Sequence, residues 1–226
     1  MSSRSEGEVG DRRARVLQRR RTRDMVHIYE FEVRELADRV RNASLPFPRT
    51  VFYGSSSIRL WPSLGDDFPG TPIVNLGFGG STLEACAHWF EALVPPAHPR
   101  SILLYAGDND LGDGRSPEQV HASYLALREK SARLLPGVPI CFLSIKPSPL
   151  RWALADRMRR ANALIAASAA SLGPTGFLDV FDEMLDERGE PRTELYEDDQ
   201  LHLSPAGYRL WADFLKRSPA AHILFS

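Results

Sequence analysis

Short apolar runs alternate with longer amphipathic segments through most of this chain of 226 residues. Five of the runs are apolar on both faces of an extended segment, which is typical of strands buried in a parallel sheet. These predicted strands cover residues 50–54, 72–77, 101–107, 139–145 and 176–181. Because helical patterns separate the strands, the chain is predicted to adopt a three-layer α/β/α fold with a mostly parallel five-stranded sheet.

The segments between the strands carry the signals of helices. Apolar residues recur at helical spacing over residues 83–93. The sequence Ser-Pro-Glu-Gln at 116–119 is a capping box with proline at the first helical position, and it predicts a helix start. Residues 151–172 are rich in alanine, leucine and arginine, and a Ser-Pro pair at 204–205 opens a last predicted helix that ends near residue 216.

A basic segment precedes the first strand. Residues 1–24 hold 8 arginines against 4 acidic residues, a net charge of +4, and few apolar side chains. Such a composition cannot bury enough apolar surface to fold alone. We expect a flexible basic arm, with binding to an acidic partner as the alternative.

An amphipathic helix is predicted over residues 25–42, between the arm and the first strand. Its apolar positions are Ile28, Phe31, Leu36 and Val40. We expect this helix to pack on the body of the protein. The predicted organisation is therefore an arm at 1–24 and a single domain over 25–226.

The composition is that of an ordinary globular protein, with 43% hydrophobic and 25% charged residues. Because 28 basic and 29 acidic residues nearly cancel, we expect no nucleic acid as a partner. No apolar stretch approaches the roughly 20 residues of a membrane span, and none follows the N-terminal arginines as in an export signal. We therefore expect a cytoplasmic protein without a membrane span, while the sequence leaves the oligomeric state open.

Two cysteines occur, Cys86 and Cys141, and they share no metal-binding spacing with each other or with a histidine. No metal site is predicted. Cys141 stands in an apolar strand, which favours a buried residue over a reactive thiol.

Candidate chemistry lies just beyond the predicted strands, where parallel α/β sheets bind their ligands. The segments concerned are 54–57, 75–82, 107–110 and 199–202. A serine at a helix start can act as a nucleophile if a histidine takes its proton and a carboxylate orients that histidine, and Asp-x-x-His supplies both partners on one turn. Arg59 and Lys146, also near strand ends, could bind an anionic group, form ion pairs or remain solvated.

In this order, the four segments resemble those of the SGNH/GDSL hydrolases, a superfamily of serine esterases and lipases. The resemblance runs from about Phe52 to Tyr208. It implies the flavodoxin-like form of the α/β/α fold and a Ser-His-Asp mechanism that requires no metal and no organic cofactor.

The first block of the superfamily, Gly-Asp-Ser, corresponds to Gly54-Ser55-Ser56. The resemblance thus implies Ser56 as the nucleophile, with Ser57 as the alternative. Ser55 replaces the superfamily's aspartate at a supporting position, which puts the geometry of this loop in question.

The other three blocks supply the remaining roles. The resemblance implies His202 as the general base and Asp199 as the carboxylate that orients it. It further implies an oxyanion hole formed by the backbone N–H groups of Ser56 and Gly80 and by the side-chain amide of Asn109.

The implied activity is hydrolysis of a small-molecule carboxylic ester. The flanks of the first two blocks, 53–61 and 75–82, look most similar to small bacterial esterases and to the acetylhydrolase-like branch, so short-acyl esters are the expected substrates. An acyltransferase using the same acyl-enzyme, or a lysophospholipase or thioesterase, is the alternative. A non-catalytic binding protein is the remaining alternative.

Overall fold

The computed structural model describes residues 28–42, 46–170 and 176–225, so the predicted basic arm at 1–24 lies outside the described residues. The strands are β1 (Arg49–Gly54), β2 (Ile73–Gly77), β3 (Pro99–Tyr105), β4 (Ile140–Leu143) and β5 (Phe177–Leu178). The helices are α1 (28–42), α2 (Ser56–Arg59), α3 (Leu64–Asp67), α4 (Leu83–Leu93), α5 (Asp108–Gly112), α6 (Pro117–Leu134), α7 (Ala155–Ala170), α8 (Pro205–Arg217) and α9 (Ala221–Phe225). Short 3₁₀ turns occupy Pro95–Ala97, Trp152–Leu154, Asp182–Met184 and Thr193–Leu195.

All strands pair in parallel in the order β2-β1-β3-β4-β5. This order confirms the predicted three-layer, flavodoxin-like fold. The chain moves to one side of β1 to form β2 and to the other side to form β3, so the strand order reverses between β1 and β3. Ligands in this fold class bind at that reversal, beyond the carboxyl ends of the strands.

Alternating side chains of the strands feed two separate cores. In β1, Val51 and Tyr53 face a core shared with α1, α4, α6 and α7, whereas Phe52 faces a core shared with α2, α3, α8 and α9. Cys86 and Cys141 are free thiols buried in opposite cores, so Cys141 is the buried residue predicted from its strand. Helices thus cover both faces of the sheet, and only its edges and strand ends remain for a binding site.

Helix α1 packs on the body of the protein with Leu36 and Val40 buried as predicted, but the rest of its buried face differs from the prediction. Its buried side chains are Tyr29, Val33, Leu36, Ala37 and Val40. The expectation that Ile28 and Phe31 share the apolar face is wrong, because these side chains are 72% and 74% exposed. Positions 29, 33, 36 and 40 follow the spacing of one helical face, whereas position 28 lies outside that face and position 31 lies on the opposite side of the helix.

The helix ends agree with the capping signals in two places. Ser116 Oγ accepts a hydrogen bond from Gln119 N, and Gln119 Oε1 accepts one from Ser116 N, so the predicted capping box is confirmed. Helix α8 starts after Ser204 as predicted, but it is not the last helix. Helix α9 follows and is too short for a periodic signal. A hydrogen bond from Thr50 Oγ1 to Leu224 O connects it to the sheet.

None of the helices in the described ranges combines the length and the apolar character needed to cross a bilayer.

Candidate active site

The loops selected from the sequence meet at the carboxyl edge of β1 and β3. Phe78 N–H donates to Gly54 O at 2.9 Å, which joins the loop after β2 to the end of β1. Asn109 Nδ2 donates to Ser81 O at 3.2 Å, which joins the loop after β3 to the same place. Residues 199–202 reach this edge from the far side. Segments distant in sequence thus form one surface at the reversal of strand order.

The chain leaves β1 through a glycine that no other residue could replace. Gly54 has φ +141°, and a Cβ built on it would lie 1.8 Å from Tyr105 O of β3. The close approach lets the chain turn directly into α2, whose first residue is Ser56. Ser55 and Ser57 are 1% and 2% exposed, whereas Ser56 is only half-buried.

Ser55, which replaces the superfamily's aspartate, stands at the N-cap of α2. Its hydroxyl makes no capping hydrogen bond. Its backbone N–H donates to Tyr105 O at 2.9 Å, and its carbonyl accepts from Ile58 N and Arg59 N at 2.9 and 3.1 Å. Backbone groups therefore hold the turn that presents Ser56.

A hydrogen-bonded relay connects Ser56 to the turn at 199–202. Ser56 Oγ lies 3.1 Å from His202 Nε2, and His202 Nδ1 lies 2.5 Å from Asp199 Oδ2. The other oxygen of Asp199 accepts the backbone N–H groups of Leu201 and His202, each at 2.9 Å. The structure thus brings together three of the residues selected from the sequence.

The negative charge of Asp199 determines which ring nitrogen of His202 carries the proton. Partial desolvation alone would raise its pKa, but hydrogen bonds from the side chain and backbone of His202 and from Leu201 N–H lower the pKa to about 2. An ionised carboxylate only accepts hydrogen bonds, so it favours a proton on Nδ1 of the neutral imidazole. Nε2 is then left to accept the Ser56 hydroxyl.

Three N–H donors selected from the sequence border the same edge. Ser56 N–H, at the first position of α2, has no partner within its helix. Gly80 N–H makes no hydrogen bond to another described residue. Asn109 Nδ2 carries two hydrogens, of which the bond to Ser81 O uses one. Each donor therefore retains an N–H for a ligand.

A network of buried charges connects the His202 turn to Asn109. Lys146 is 1% exposed, and its Nζ donates to Leu201 O at 2.8 Å and lies 4.0 Å from Asp108 Oδ2. Arg151 Nη1 donates to the same Asp108 oxygen at 2.9 Å, and Arg151 Nη2 donates to Asn109 Oδ1 at 3.1 Å. Because Arg151 occupies the amide oxygen, the Nδ2 end of Asn109 is the end left to face a ligand.

Sequence reasoning identified only part of this network. The sequence leaves Lys146 open as an anion-binding, ion-paired or solvated residue, and the structure gives it the paired role. Burial lowers the pKa of Lys146 to about 8, although Asp108 acts in the opposite direction. Arg59 is also paired, with its Nε 3.5 Å from Glu32 Oε1. Arg151 is not among the candidate residues selected from the sequence, because it lies in a segment with several arginines. Its one available signal was its position in the loop after β4.

Asp110 connects the loop after β3 to the start of α4, next to the site. It is fully buried, and its Oδ2 accepts the N–H of Leu83 at the start of α4 at 2.9 Å. Burial raises the pKa of Asp110 to about 6, while the Leu83 hydrogen bond and the charge of Arg115 act against that rise. The folded state therefore binds a proton here more tightly than the unfolded chain does.

This difference predicts a pH dependence of stability. The contribution of Asp110 to stability is greatest below its unfolded pKa of about 4 and is lost as pH rises through about 6. Asp110→Asn keeps an acceptor for Leu83 N–H but does not titrate. Between about pH 4 and pH 7, the wild type should lose about 3 kcal/mol of unfolding free energy relative to this variant in urea titrations. Parallel pH curves for the two proteins would contradict the prediction.

Comparisons with known proteins agree with the fold and with the motifs. A Streptococcus pneumoniae protein named for platelet activating factor has a similar structure, with a TM-score of 0.74, 23% identity, and coverage of 89% of this chain and 97% of that chain. A GDSL-like lipase from Bacteroides thetaiotaomicron VPI-5482 has a TM-score of 0.68, 18% identity, and coverage of 82% and 95%. The OSK domain of Drosophila Oskar has a TM-score of 0.61, 15% identity, and coverage of 77% and 88%. At these identities the likeness establishes the shared fold.

No curated protein sequence matches this chain. A sequence model of the GDSL-like Lipase/Acylhydrolase family matches residues 50–210, which is more than half of the chain and contains all the loops that form the candidate site. The expected membership of the SGNH/GDSL superfamily is confirmed by this match. The chain belongs to the GDSL-like lipase/acylhydrolase family and is a hydrolase of the SGNH type.

Proposed function

We propose that this chain is a serine esterase that cleaves short-acyl, acetyl-type carboxylic esters through an acyl-enzyme. The observation that carries the proposal is the relay from Ser56 Oγ to His202 Nε2 at 3.1 Å and from His202 Nδ1 to Asp199 Oδ2 at 2.5 Å. A relay of this geometry activates a serine hydroxyl for attack on a carbonyl carbon. Membership of a family of lipases and acylhydrolases supports the same chemistry.

In the first half of the proposed reaction, Ser56 Oγ forms a bond to the ester carbonyl carbon. Its proton passes to His202 Nε2, and the π electrons of the carbonyl move to the oxygen. His202 becomes an imidazolium beside Asp199, whose low pKa keeps it anionic and able to stabilise that charge.

The tetrahedral intermediate carries a negative charge on the former carbonyl oxygen. We assign its stabilisation to the N–H groups of Ser56 and Gly80 and to Asn109 Nδ2. These donors are held before substrate arrives, so little reorganisation is needed when the charge develops. The hydrogen bond from Arg151 fixes the direction of the Asn109 amide.

The intermediate collapses when the bond from carbon to the leaving oxygen breaks. His202 returns the proton to that oxygen, so an alcohol departs and Ser56 retains the acyl group. A water molecule then attacks the acyl carbon, gives its proton to His202, and releases the carboxylic acid as Ser56 recovers its hydrogen.

The preference for short acyl groups rests on the resemblance of residues 53–61 and 75–82 to the acetylhydrolase-like branch. The acyl-enzyme itself would also serve transfer to an alcohol. Substrate length and acceptor are therefore the variables to measure.

The test is hydrolysis of p-nitrophenyl esters from acetyl to dodecanoyl by the wild type and by Ser56→Ala. We expect the highest kcat/KM with the shortest esters and loss of the activity in the variant. Ser57→Ala is the matched control, because Ser57 is buried and a neighbour of Ser56 in sequence, and it should keep most of the activity.

An optimum at long acyl chains would overturn the short-acyl assignment and favour a lysophospholipase. Ester formation that dominates over hydrolysis when acceptor alcohols are added would favour an acyltransferase. A folded wild type that is inactive on every ester would overturn the proposed esterase.

A further inference from the structure

Helix α1 reaches the site without contributing any of the groups assigned to the reaction. Tyr29 Oη donates to Gly80 O at 2.9 Å. Glu32 Oε2 accepts the N–H of Gly79 at 3.0 Å. Both contacts are made with Gly79-Gly80, which we call the oxyanion loop because it carries the N–H of Gly80. Both come from one turn of helix α1.

We propose that Tyr29 and Glu32 are positioning residues that hold the oxyanion loop, so that Gly80 N–H points at the developing charge. The role rests on the proposed esterase function. It extends that function to a helix outside the four sequence blocks of the family.

The loop needs such support because of its composition. The peptide group that joins Gly79 to Gly80 carries the donor N–H, and its direction depends on the backbone angles of two adjacent glycines. Glycine rotates more freely than any other residue. Gly80 has φ +67°, and a Cβ built there would meet no atom within 4 Å, so surrounding side chains do not restrain it by packing.

The two contacts restrain this peptide from both sides. Glu32 holds the peptide group before it through Gly79 N–H, and Tyr29 holds the peptide group after it through Gly80 C=O. With both neighbouring peptide groups held, the two glycines cannot swing together away from the site, and the central peptide can turn only by a concerted change of Gly79 ψ and Gly80 φ. This is how a side chain can orient an N–H that it does not touch.

The side chains that make the contacts are themselves fixed. Tyr29 is buried, and its ring packs edge-on against Phe78 with centroids 5.3 Å apart. Burial, reinforced by Asp113 and other nearby negative groups, raises the pKa of Tyr29 to about 12, so the phenol keeps the proton that it donates. Val33 and Leu36 anchor the next turns of α1 in the core.

Arg59 completes the support around Gly79. Its Nε lies 3.5 Å from Glu32 Oε1, and its guanidinium lies 3.2–3.3 Å from where a Cβ of Gly79 would stand. One carboxylate oxygen of Glu32 thus accepts the N–H of Gly79, and the other forms the ion pair with Arg59. Substitutions at position 32 can therefore separate the hydrogen bond from the charge.

The test uses four variants at the two positions. Tyr29→Phe keeps the ring and removes the donor; Glu32→Ala removes the acceptor; Glu32→Gln keeps an acceptor without the charge. We expect kcat for p-nitrophenyl acetate to fall about 3–10-fold in each of the first two and about 10–100-fold in the Tyr29→Phe, Glu32→Ala double variant. Glu32→Gln should recover most of the loss, and KM should change less than about twofold throughout.

Two control variants carry the same substitutions away from the loop. Tyr53→Phe removes a buried tyrosine hydroxyl that donates to a backbone carbonyl, that of Cys86, at 2.7 Å. Glu35→Ala removes an exposed carboxylate from the same helix. Both should retain kcat within about twofold, even if Tyr53→Phe lowers the melting temperature as much as Tyr29→Phe does.

Amide hydrogen exchange over residues 77–82 gives a readout that does not need turnover. Tyr29→Phe and Glu32→Ala should exchange faster there than the wild type, and the two controls should not. Unchanged exchange and unchanged kcat in an active enzyme would overturn the positioning role and leave the esterase proposal standing. An inactive wild type whose loop still exchanges faster in the variants would overturn the esterase, while the restraint of the loop by α1 would stand.

Discussion

Ser56→Ala and His202→Ala should each lower kcat for ester hydrolysis by at least about 10⁴-fold, and the double variant should be little worse than either single variant. The reason is the direct hydrogen bond between the two side chains, 3.1 Å long. A base without its nucleophile, or a nucleophile without its base, contributes almost nothing to the reaction. The measurement is kcat for p-nitrophenyl acetate, with the melting temperature of each variant.

The double variant makes this test decisive. If the two losses multiply, the side chains act independently and the shared proton transfer is wrong. Ser57→Ala supplies the control for a serine removed from the same helix. A large loss of kcat in that control, with Ser56→Ala still active, would identify Ser57 as the nucleophile instead.

Asn109→Ala should lower kcat by about 10²–10³-fold with little change in KM. Its amide would donate to the oxygen that becomes negative only in the transition state, so substrate binding does not depend on it. The residual activity should still require Ser56. A rise in KM with unchanged kcat would place Asn109 in ground-state binding and would contradict the oxyanion assignment.

Arg151→Met extends this prediction to the group that orients the amide. Without the 3.1 Å bond from Arg151 Nη2, Asn109 can turn its oxygen toward the substrate, and we expect kcat to fall about 10-fold. Arg159→Met, which removes an exposed arginine of α7 paired with Asp182, is the matched control and should leave kcat unchanged. Equal losses in both variants would mean that the effect is not specific to Asn109.

The fold could be predicted because its central strands are buried on both faces. A run such as residues 102–105 is apolar on both faces, which is typical of the centre of a covered parallel sheet. The short pieces α2, α3 and α9 gave no such signal. Four or five residues complete at most one turn of helix, and their conformation depends on contacts with the rest of the chain.

The candidate site was predictable where its residues are joined by short sequence motifs. Asp199 and His202 lie three residues apart, so one turn can place them together, as the structure does. The Lys146, Asp108 and Arg151 contacts join three different loops. Their distances depend on how those loops pack, and no spacing along the sequence encodes that.

Helix α1 illustrates a second limit of sequence periodicity. Over four turns, one set of apolar positions includes Ile28 and Phe31, and another includes Tyr29 and Val33. Burial of a tyrosine is favoured when its hydroxyl has a hydrogen-bond partner, and Gly80 O is the partner of Tyr29. The partner that favours burial of Tyr29 therefore lies 51 residues away along the chain, where no local pattern can indicate it.

If Ser56 and His202 act together as proposed, their contact also sets the stage of synthesis at which activity can first appear. The two residues are 146 positions apart, so the ribosome completes every strand of the sheet before the base is made. A chain interrupted between residues 56 and 202 has the proposed nucleophile but not its proposed base. On the proposed mechanism, the nascent protein therefore gains esterase activity only after residue 202 has been made and its turn has packed beside Ser56.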